Sequence, residues 1–384
     1  MTHRPSTSIP FNWPYMTGQE LGHISEAHRN GKLAGDGPYT KKCHHWIESH
    51  TNTLKALLTH SCTASLEMSA LLLDLGVGDE VIMPSYTFVS TANAFALRGV
   101  TPVFVDIRGD TLNIDETKIT AAITPKTKAI IPVHYGGVAC EMDAIMEIAE
   151  NHNLSVVEDA AQGVMASYKG KSLGSIGDLG AYSFHETKNL IFGEGGALLV
   201  NNPEMIERAE IIREKGTDRK KFSEGIVDKY TWQELGSSYL PGEIIAAFLW
   251  AQMLEAKKIT SKRIQLWQTY HSAFIDAENE GLLRRPIVPA ECLHNGHMYY
   301  ILLPRRFDRS KVIKELGENS VNAIFHYIPL HQSPAGRKFC KISGSMKVTD
   351  DISGRILRLP CWAGLEDEVN YVVETTIKVL SKFK

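Results

Sequence analysis

The chain has 384 residues, 43% of them apolar and 22% charged, with 30 glycines and 16 prolines. That composition excludes disorder, a collagen repeat and a disulfide-framed miniprotein, and the net charge of −3 offers no basic field to nucleic acid. The start MTHRPSTSIP lacks the apolar segment of a secretory signal, and the longest uncharged stretch, Val81 to Leu97, is broken by Pro84, so no membrane segment is expected.

Between residues 60 and 200, strand-length apolar runs alternate with helix-length amphipathic ones. In order, Thr63–Leu75 reads as helix, Glu80–Pro84 and Pro102–Asp106 as buried strands, Ile114–Ile123 as helix, Ala129–Val133 as strand and Glu141–Asn151 as helix. Leu154–Glu158, Leu179–Ser183 and Ala197–Val200 read as further strands. β-branched runs alternating with helices imply βαβ units, hence a largely parallel sheet covered on both faces. From Glu204 the pattern turns helical through Arg219–Glu234 and Glu243–Glu255. A smaller unit follows, with strands at Met298–Leu303 and Val321–Phe325 and helices at Arg309–Gly317 and Glu366–Leu380. The expected architecture is a large α/β domain over 1–255, N-terminal segment included, and a small α+β domain over 256–384.

Six cysteines (Cys43, Cys62, Cys140, Cys292, Cys340 and Cys361) form no CxxC pair, so they read as reduced thiols of a soluble cytoplasmic protein without a metal site. Gly174-Ser-Ile-Gly-Asp-Leu-Gly180 is spaced GxxGxxG and precedes a strand, so it is not a dinucleotide loop. A nucleotide-sugar oxidoreductase on a Rossmann sheet would need GxGxxG at the first helix, and none is present.

In open α/β sheets chemistry sits beyond the carboxyl ends of the strands. Three motifs fall there. Ser61-Cys-Thr-Ala-Ser65 opens a helix and serves either as an ordinary cap or as a phosphate cradle. Glu158-Asp-Ala-Ala-Gln162 puts a carboxylate at a strand end, where Asp159 could equally cap a helix. Ser183-Phe-His-Glu-Thr-Lys-Asn189, followed by Gly193-Glu-Gly-Gly196, carries Lys188 on a glycine-bounded loop. Together they match the needs of pyridoxal 5′-phosphate: helix N–H groups for its phosphate, a carboxylate for its ring nitrogen and a lysine for its aldehyde.

The strings SCTASLEM, PSYTFVSTANAF, VHYGGVACEMD, EDAAQG, SFHETKN, GEGG and FHYIPLH resemble the sugar-nucleotide aminotransferases of the DegT/DnrJ/EryC1/StrS family, nearly end to end. The resemblance implies PLP fold type I and a homodimer. It makes Lys188 the catalytic Schiff-base lysine and Asp159 the partner of the pyridine nitrogen. It places Gln162 near the phenolic oxygen, Phe88 on the ring, and Cys62, Thr63 and Ser183 at the phosphate, with Ser238 completing that cup from the other subunit. Many relatives carry Gly at Cys62 and Asn at Ser238. His134, Tyr135, His185, Glu186 and His331 should border the substrate. The strings HETKN and FHYIPLH are most similar to members that aminate dTDP-4-keto-6-deoxyglucose with L-glutamate. Those members give dTDP-4-amino-4,6-dideoxygalactose, for enterobacterial common antigen or O-antigen. The loop Leu190-Ile-Phe192 is one residue shorter than in the enterobacterial members, which keeps the equatorial, glucose-configured product as the alternative. A PLP-dependent dehydratase would have histidine in place of Lys188, and a non-catalytic regulator would need a DNA-binding module that the sequence lacks.

Overall fold

A computed structural model describes residues 8–384; the start read for a leader, residues 1–7, lies outside the described residues. The strands of its main sheet are β1 (Lys55–Thr59), β2 (Glu80–Pro84), β3 (Thr101–Val105), β4 (Thr127–Ile130), β5 (Ser155–Asp159), β6 (Leu179–Ser183) and β7 (Gly196–Val200). Two later strands, β8 (Tyr299–Leu302) and β10 (Ile356–Leu359), pair with each other antiparallel, whereas β9 (Lys341–Ile342) joins the main sheet beside β3. The main sheet has eight strands in the order β1-β7-β6-β5-β4-β2-β3-β9, with only β7 running against its neighbours. Every residue of β2, β6 and β7 is buried, which is why these strands are runs of small and apolar residues rather than alternating ones, Glu80 at the start of β2 being paired with Lys341.

Helices cover the sheet: α1 (Glu20–Arg29), α2 (Pro38–Thr51), α3 (Cys62–Leu72), α4 (Val89–Ala96), α5 (Met142–His152) and α6 (Glu243–Leu254). The next helix, α7 (Ala256–Ala273), gives Ala256 and Ile259 to the core under the sheet and Leu266, Trp267 and Tyr270 to a second, C-terminal core. Ile9 packs in that second core and bridges to Val321. Among the described residues no helix is long and apolar enough to cross a membrane.

Several expected elements differ. β1 was not expected: unlike the other strands of its length it holds no Val, Ile or aromatic residue before Thr59, and it follows α2 after only three residues. The helix expected over 114–123 shrinks to one 3₁₀ turn, Glu116–Lys118, and one α turn, Ile119–Ala122, ahead of Thr124-Pro125. The helix expected over Arg219–Glu234 stops at Ser223; Gly225 takes a positive φ of 72°, and Trp232 bridges back to Thr217. Val321–Phe325 makes only isolated bridges, to Ile9 and to Arg358.

Candidate active site

The end of β1, the start of β7 and the end of β6 are register partners: Thr59 opposes Gly196, and Gly196 opposes Ser183. On the other side of β6, Asp159 opposes Ala181. The sheet edge therefore carries the entry to α3 and Ser183 in one row, with Asp159 opposite a point two residues back along β6. The Ala64 N–H donates to Ser61 Oγ at 3.0 Å, capping α3. A Cβ on Gly196 would meet the Cys62 nitrogen at 2.5 Å, so glycine is what lets β7 start directly beneath the first turn of α3.

Asp159 does not cap a helix. The Ala161 N–H donates to its Oδ1 at 3.2 Å within a turn, and the Thr91 hydroxyl donates to its Oδ2 at 2.7 Å from α4. Thr91 in turn shares a hydrogen bond of 2.7 Å with Thr87. The carboxylate is thus buried and aimed by two donors.

Lys188 sits on a loop folded back on itself. Phe184 donates to Gly195, Phe192 donates to Phe184 and Glu186 donates to Gly193, each at 2.8 Å through backbone groups. The Asn189 side-chain amide pins the loop by donating to the Asn295 carbonyl at 2.8 Å. Burial lowers the pKa of the Lys188 ammonium; Arg358 adds to this, while Cys62 and Asp159 oppose it. A lowered value favours the neutral amine that a nucleophile needs.

These residues open on one cavity of about 1140 Å³. Of the expected site residues, Cys62, Thr63, Phe88, Asp159, Gln162, Ser183, His185 and Lys188 line it. Phe88 is 58% exposed there, a ring free to meet a planar ligand. Gln162 bridges two elements: its Oε1 accepts from the Gly136 N–H at 2.6 Å, and its Nε2 donates to the Tyr327 hydroxyl at 3.1 Å. Burial raises the pKa of the Cys62 thiol well above its ordinary value, with Asp159 pushing the same way, so Cys62 faces the cavity as a neutral thiol.

Five expected residues lie elsewhere. His134 is fully buried; the Cys140 N–H donates to its Nδ1 at 3.2 Å, which leaves the proton on Nε2 to donate to Glu158 at 2.9 Å. Glu158 also accepts backbone N–H groups from Gly174, Ile176 and Gly177 at 2.6–2.8 Å. The glycine-rich loop at 174–180 thus wraps a carboxylate, and its glycines serve close approach. Tyr135 lies behind the wall, its hydroxyl 2.6 Å from His326 Nδ1. His331 turns its ring away, toward Ser85 at 2.7 Å and Asp350 at 3.0 Å. Glu186 is exposed outside the lining, and Ser238 is exposed and bridges to Glu214.

The sequence reading missed Thr91, His297, Tyr327 and Arg358, all of which line the cavity. Thr91 and Tyr327 left traces: Thr91 falls on the helical spacing after Thr87 within PSYTFVSTANAF, and Tyr327 lies inside FHYIPLH. His297 and Arg358 come from segments more than 100 residues from Lys188 and carry no local pattern.

A strand-end carboxylate and an enclosed amine facing one cavity beside a capped helix start are the marks of a PLP enzyme on an open α/β sheet. The chain belongs to the DegT/DnrJ/EryC1/StrS aminotransferase family, which matches it over residues 14–377. It is a PLP-dependent sugar aminotransferase of PLP fold type I, acting on a nucleotide sugar and an amino donor. Its sequence is 33% identical over 383 residues to the spore coat polysaccharide biosynthesis protein SpsC of Bacillus subtilis, covering 97% of each chain. It is 30% identical to the GDP-perosamine synthase of Caulobacter vibrioides, over 96% of this chain and 97% of that one. Its structure is similar to the PLP form of the putative sugar aminotransferase Spr1654 from Streptococcus pneumoniae, with a TM-score of 0.90 and 26% identity over 98% of this chain and all of that one (100%).

Proposed function

We propose that this aminotransferase moves the amino group of L-glutamate to C4 of dTDP-4-keto-6-deoxyglucose, giving dTDP-4-amino-4,6-dideoxygalactose for a surface polysaccharide. The observation that carries the reading is the Lys188 amine in a cavity of about 1140 Å³ that also holds the Asp159 carboxylate. That volume exceeds the roughly 300–1000 Å³ of a site for one small ligand, leaving room for a cofactor and a large substrate together. The preference for dTDP and for the galactose configuration rests on the strings HETKN and FHYIPLH.

The residues present fit pyridoxal phosphate. The α3 entry, cleared by Gly196, would hold the phosphate with Thr63 and Ser183; Asp159 would meet the ring nitrogen; and Phe88 would cover the ring. When bound, the cofactor supplies an aldehyde to carry the amino group and a ring to take up the electron pair of a broken C–H bond. Asp159, aimed by the Thr91 hydroxyl and the Ala161 amide, would pair with the protonated ring nitrogen. Lys188 Nζ would hold the cofactor's aldehyde between turnovers, and as a free amine it would take the proton from the donor's α-carbon and, in the second half-reaction, deliver one to C4 of the sugar. One site serving two substrates in turn predicts ping-pong kinetics.

A homodimer belongs to the same reading. Trp232 is 75% exposed, with Ile226 at 65% and Leu235 at 63%, an apolar stretch leading to Ser238 that a second subunit would cover. A monomer in sedimentation that is fully active at nanomolar concentration would refute it.

The decisive experiment incubates the purified protein with L-glutamate and either the dTDP- or the GDP-linked 4-keto-6-deoxy sugar, then assigns the product by NMR. Amination of the dTDP sugar with a small H3–H4 coupling, marking an axial amine, is expected. A large diaxial coupling would assign the glucose-configured product instead, and amination of the GDP sugar alone would overturn the nucleotide.

A further inference from the structure

The main cavity contains a cation to which none of the roles above gives work. Arg358 lies on β10, where its backbone exchanges hydrogen bonds with Ile324 at 2.8 and 3.1 Å and pairs with Tyr300 of β8. The position of its Cα is therefore set by backbone on both sides. Its guanidinium rests over the Phe11 ring at 4.7 Å and lines the same cavity as Lys188 and Asp159. Its Nε is enclosed and has no hydrogen-bond partner, and among the described residues Arg358 makes no ion pair. Arg263, also on the cavity wall, shows the ordinary alternative: it donates to the carbonyls of Gly296, His297 and Cys361 at 2.6–3.1 Å. A half-buried guanidinium with its Nε enclosed and no anion beside it is open to a ligand, and its planar fork matches a carboxylate.

We propose that Arg358 binds the carboxylate of the amino donor, so that one cavity holds a small dicarboxylate in one half of the cycle and a nucleotide sugar in the other. This rests on the reading of Lys188 given above. Three molecules bring anionic groups to the site, and position chooses among them. The α3 entry, on the sheet edge, already suits the cofactor's phosphate. A sugar diphosphate is separated from the reacting C4 by the hexose ring, whereas the donor's α-carboxylate is one bond from the reacting carbon. Arg358 belongs to the reacting end: it lines the cavity that holds Lys188 and Asp159, and its backbone partner Ile324 is three residues from Tyr327, to which Gln162 donates. The surrounding phenols of Tyr86, Tyr135 and Tyr327 are neutral at physiological pH, their pKa values raised by burial, so none of them supplies the missing negative charge.

The test compares wild-type holoenzyme with Arg358→Gln and Arg358→Lys. Glutarate binding by calorimetry reads the anchor without turnover, and dTDP binding serves as the internal control. With Gln, glutarate and the apparent Kd for glutamate in the first half-reaction should weaken by about 10²-fold, while dTDP changes by less than about twofold. Lys keeps the charge but loses the fork and should weaken glutarate by about tenfold, which keeps the test usable if the Gln variant fails to fold. Glutarate binding unchanged in both variants, or a loss falling on dTDP and the keto sugar instead, would overturn the anchor. Wild-type protein that binds glutarate through Arg358 yet aminates no nucleotide sugar would support the anchor and overturn the proposed function.

Discussion

The two walls of the cavity are held by different means. On the sheet side, Ser183, Asp159 and the entry to α3 are positioned by strand register, and Gly196 can be replaced by nothing larger. On the far side, His297 and Tyr327 come from separate segments tied by side-chain bonds, Asn189 to Asn295, Gln162 to Tyr327 and Tyr135 to His326, and Arg358 alone there is set by backbone pairing. Backbone register tolerates substitution around it, because only the strand need persist. Side-chain ties are rewritten by single mutations. The sheet wall therefore suits chemistry that does not vary with substrate, and the far wall suits the part of the site that selects one.

The comparison breaks most sharply at Lys188. Lys188→Ala removes the tether and the proton-moving base together, so turnover should fall by several orders of magnitude with the fold retained. Turnover within about tenfold of wild type would take the chemistry off the sheet wall. Asp159→Asn should keep its place beneath Thr91 but lose the charge that holds the ring nitrogen protonated. Retained cofactor content with turnover about 10²-fold slower is expected, and normal turnover with cofactor bound would remove the assignment.

The same difference explains what the sequence discloses. Strand ends on a parallel sheet leave contiguous signals, so the seven cofactor-side residues from Cys62 to Lys188 that line the cavity could be found by reading strings. The sheet itself was legible for the same reason, apart from β1 and the two-residue β9. His134 and Tyr135 lie in an equally distinctive string, but a string does not say which side of the strand end a side chain takes. His134 turns inward because Glu158 is there to accept its proton. Arg358 was illegible because its partners Ile324 and Phe11 are 34 and 347 residues away in sequence, beyond any periodicity.

Thr91 sharpens the comparison at lower amplitude, because it is a side-chain tie within the sheet wall. Thr91→Val should leave Asp159 in place but less well aimed, lowering kcat about tenfold with little change in KM. Thr91→Ser restores the hydroxyl and should restore most of the rate. A rescue that fails would mean that packing of the methyl group, not the hydrogen bond, is what Asp159 needs.

The smallest effect belongs to His331, the far-side residue whose string most strongly suggested substrate contact. Its ring is spent between Ser85, at 2.7 Å, and Asp350, at 3.0 Å. Asp350 also accepts from the Gln332 side chain at 2.7 Å, and the Leu330 N–H donates to the Ser85 carbonyl at 2.9 Å. His331 therefore ties a cavity-lining loop, which includes Leu330 and Gln332, to the residue that follows β2. His331→Ala should cost about 1 kcal/mol of stability through the lost hydrogen bonds. Because the Leu330 backbone bond persists, the loop stays docked and KM for the sugar nucleotide should change by less than about threefold. A residue that held the sugar directly would behave differently, raising KM by about ten- to a hundredfold with stability unaffected. Measuring thermal midpoint and KM on the same variant separates a strut from a ligand, and a KM rise without a stability loss would return His331 to the substrate.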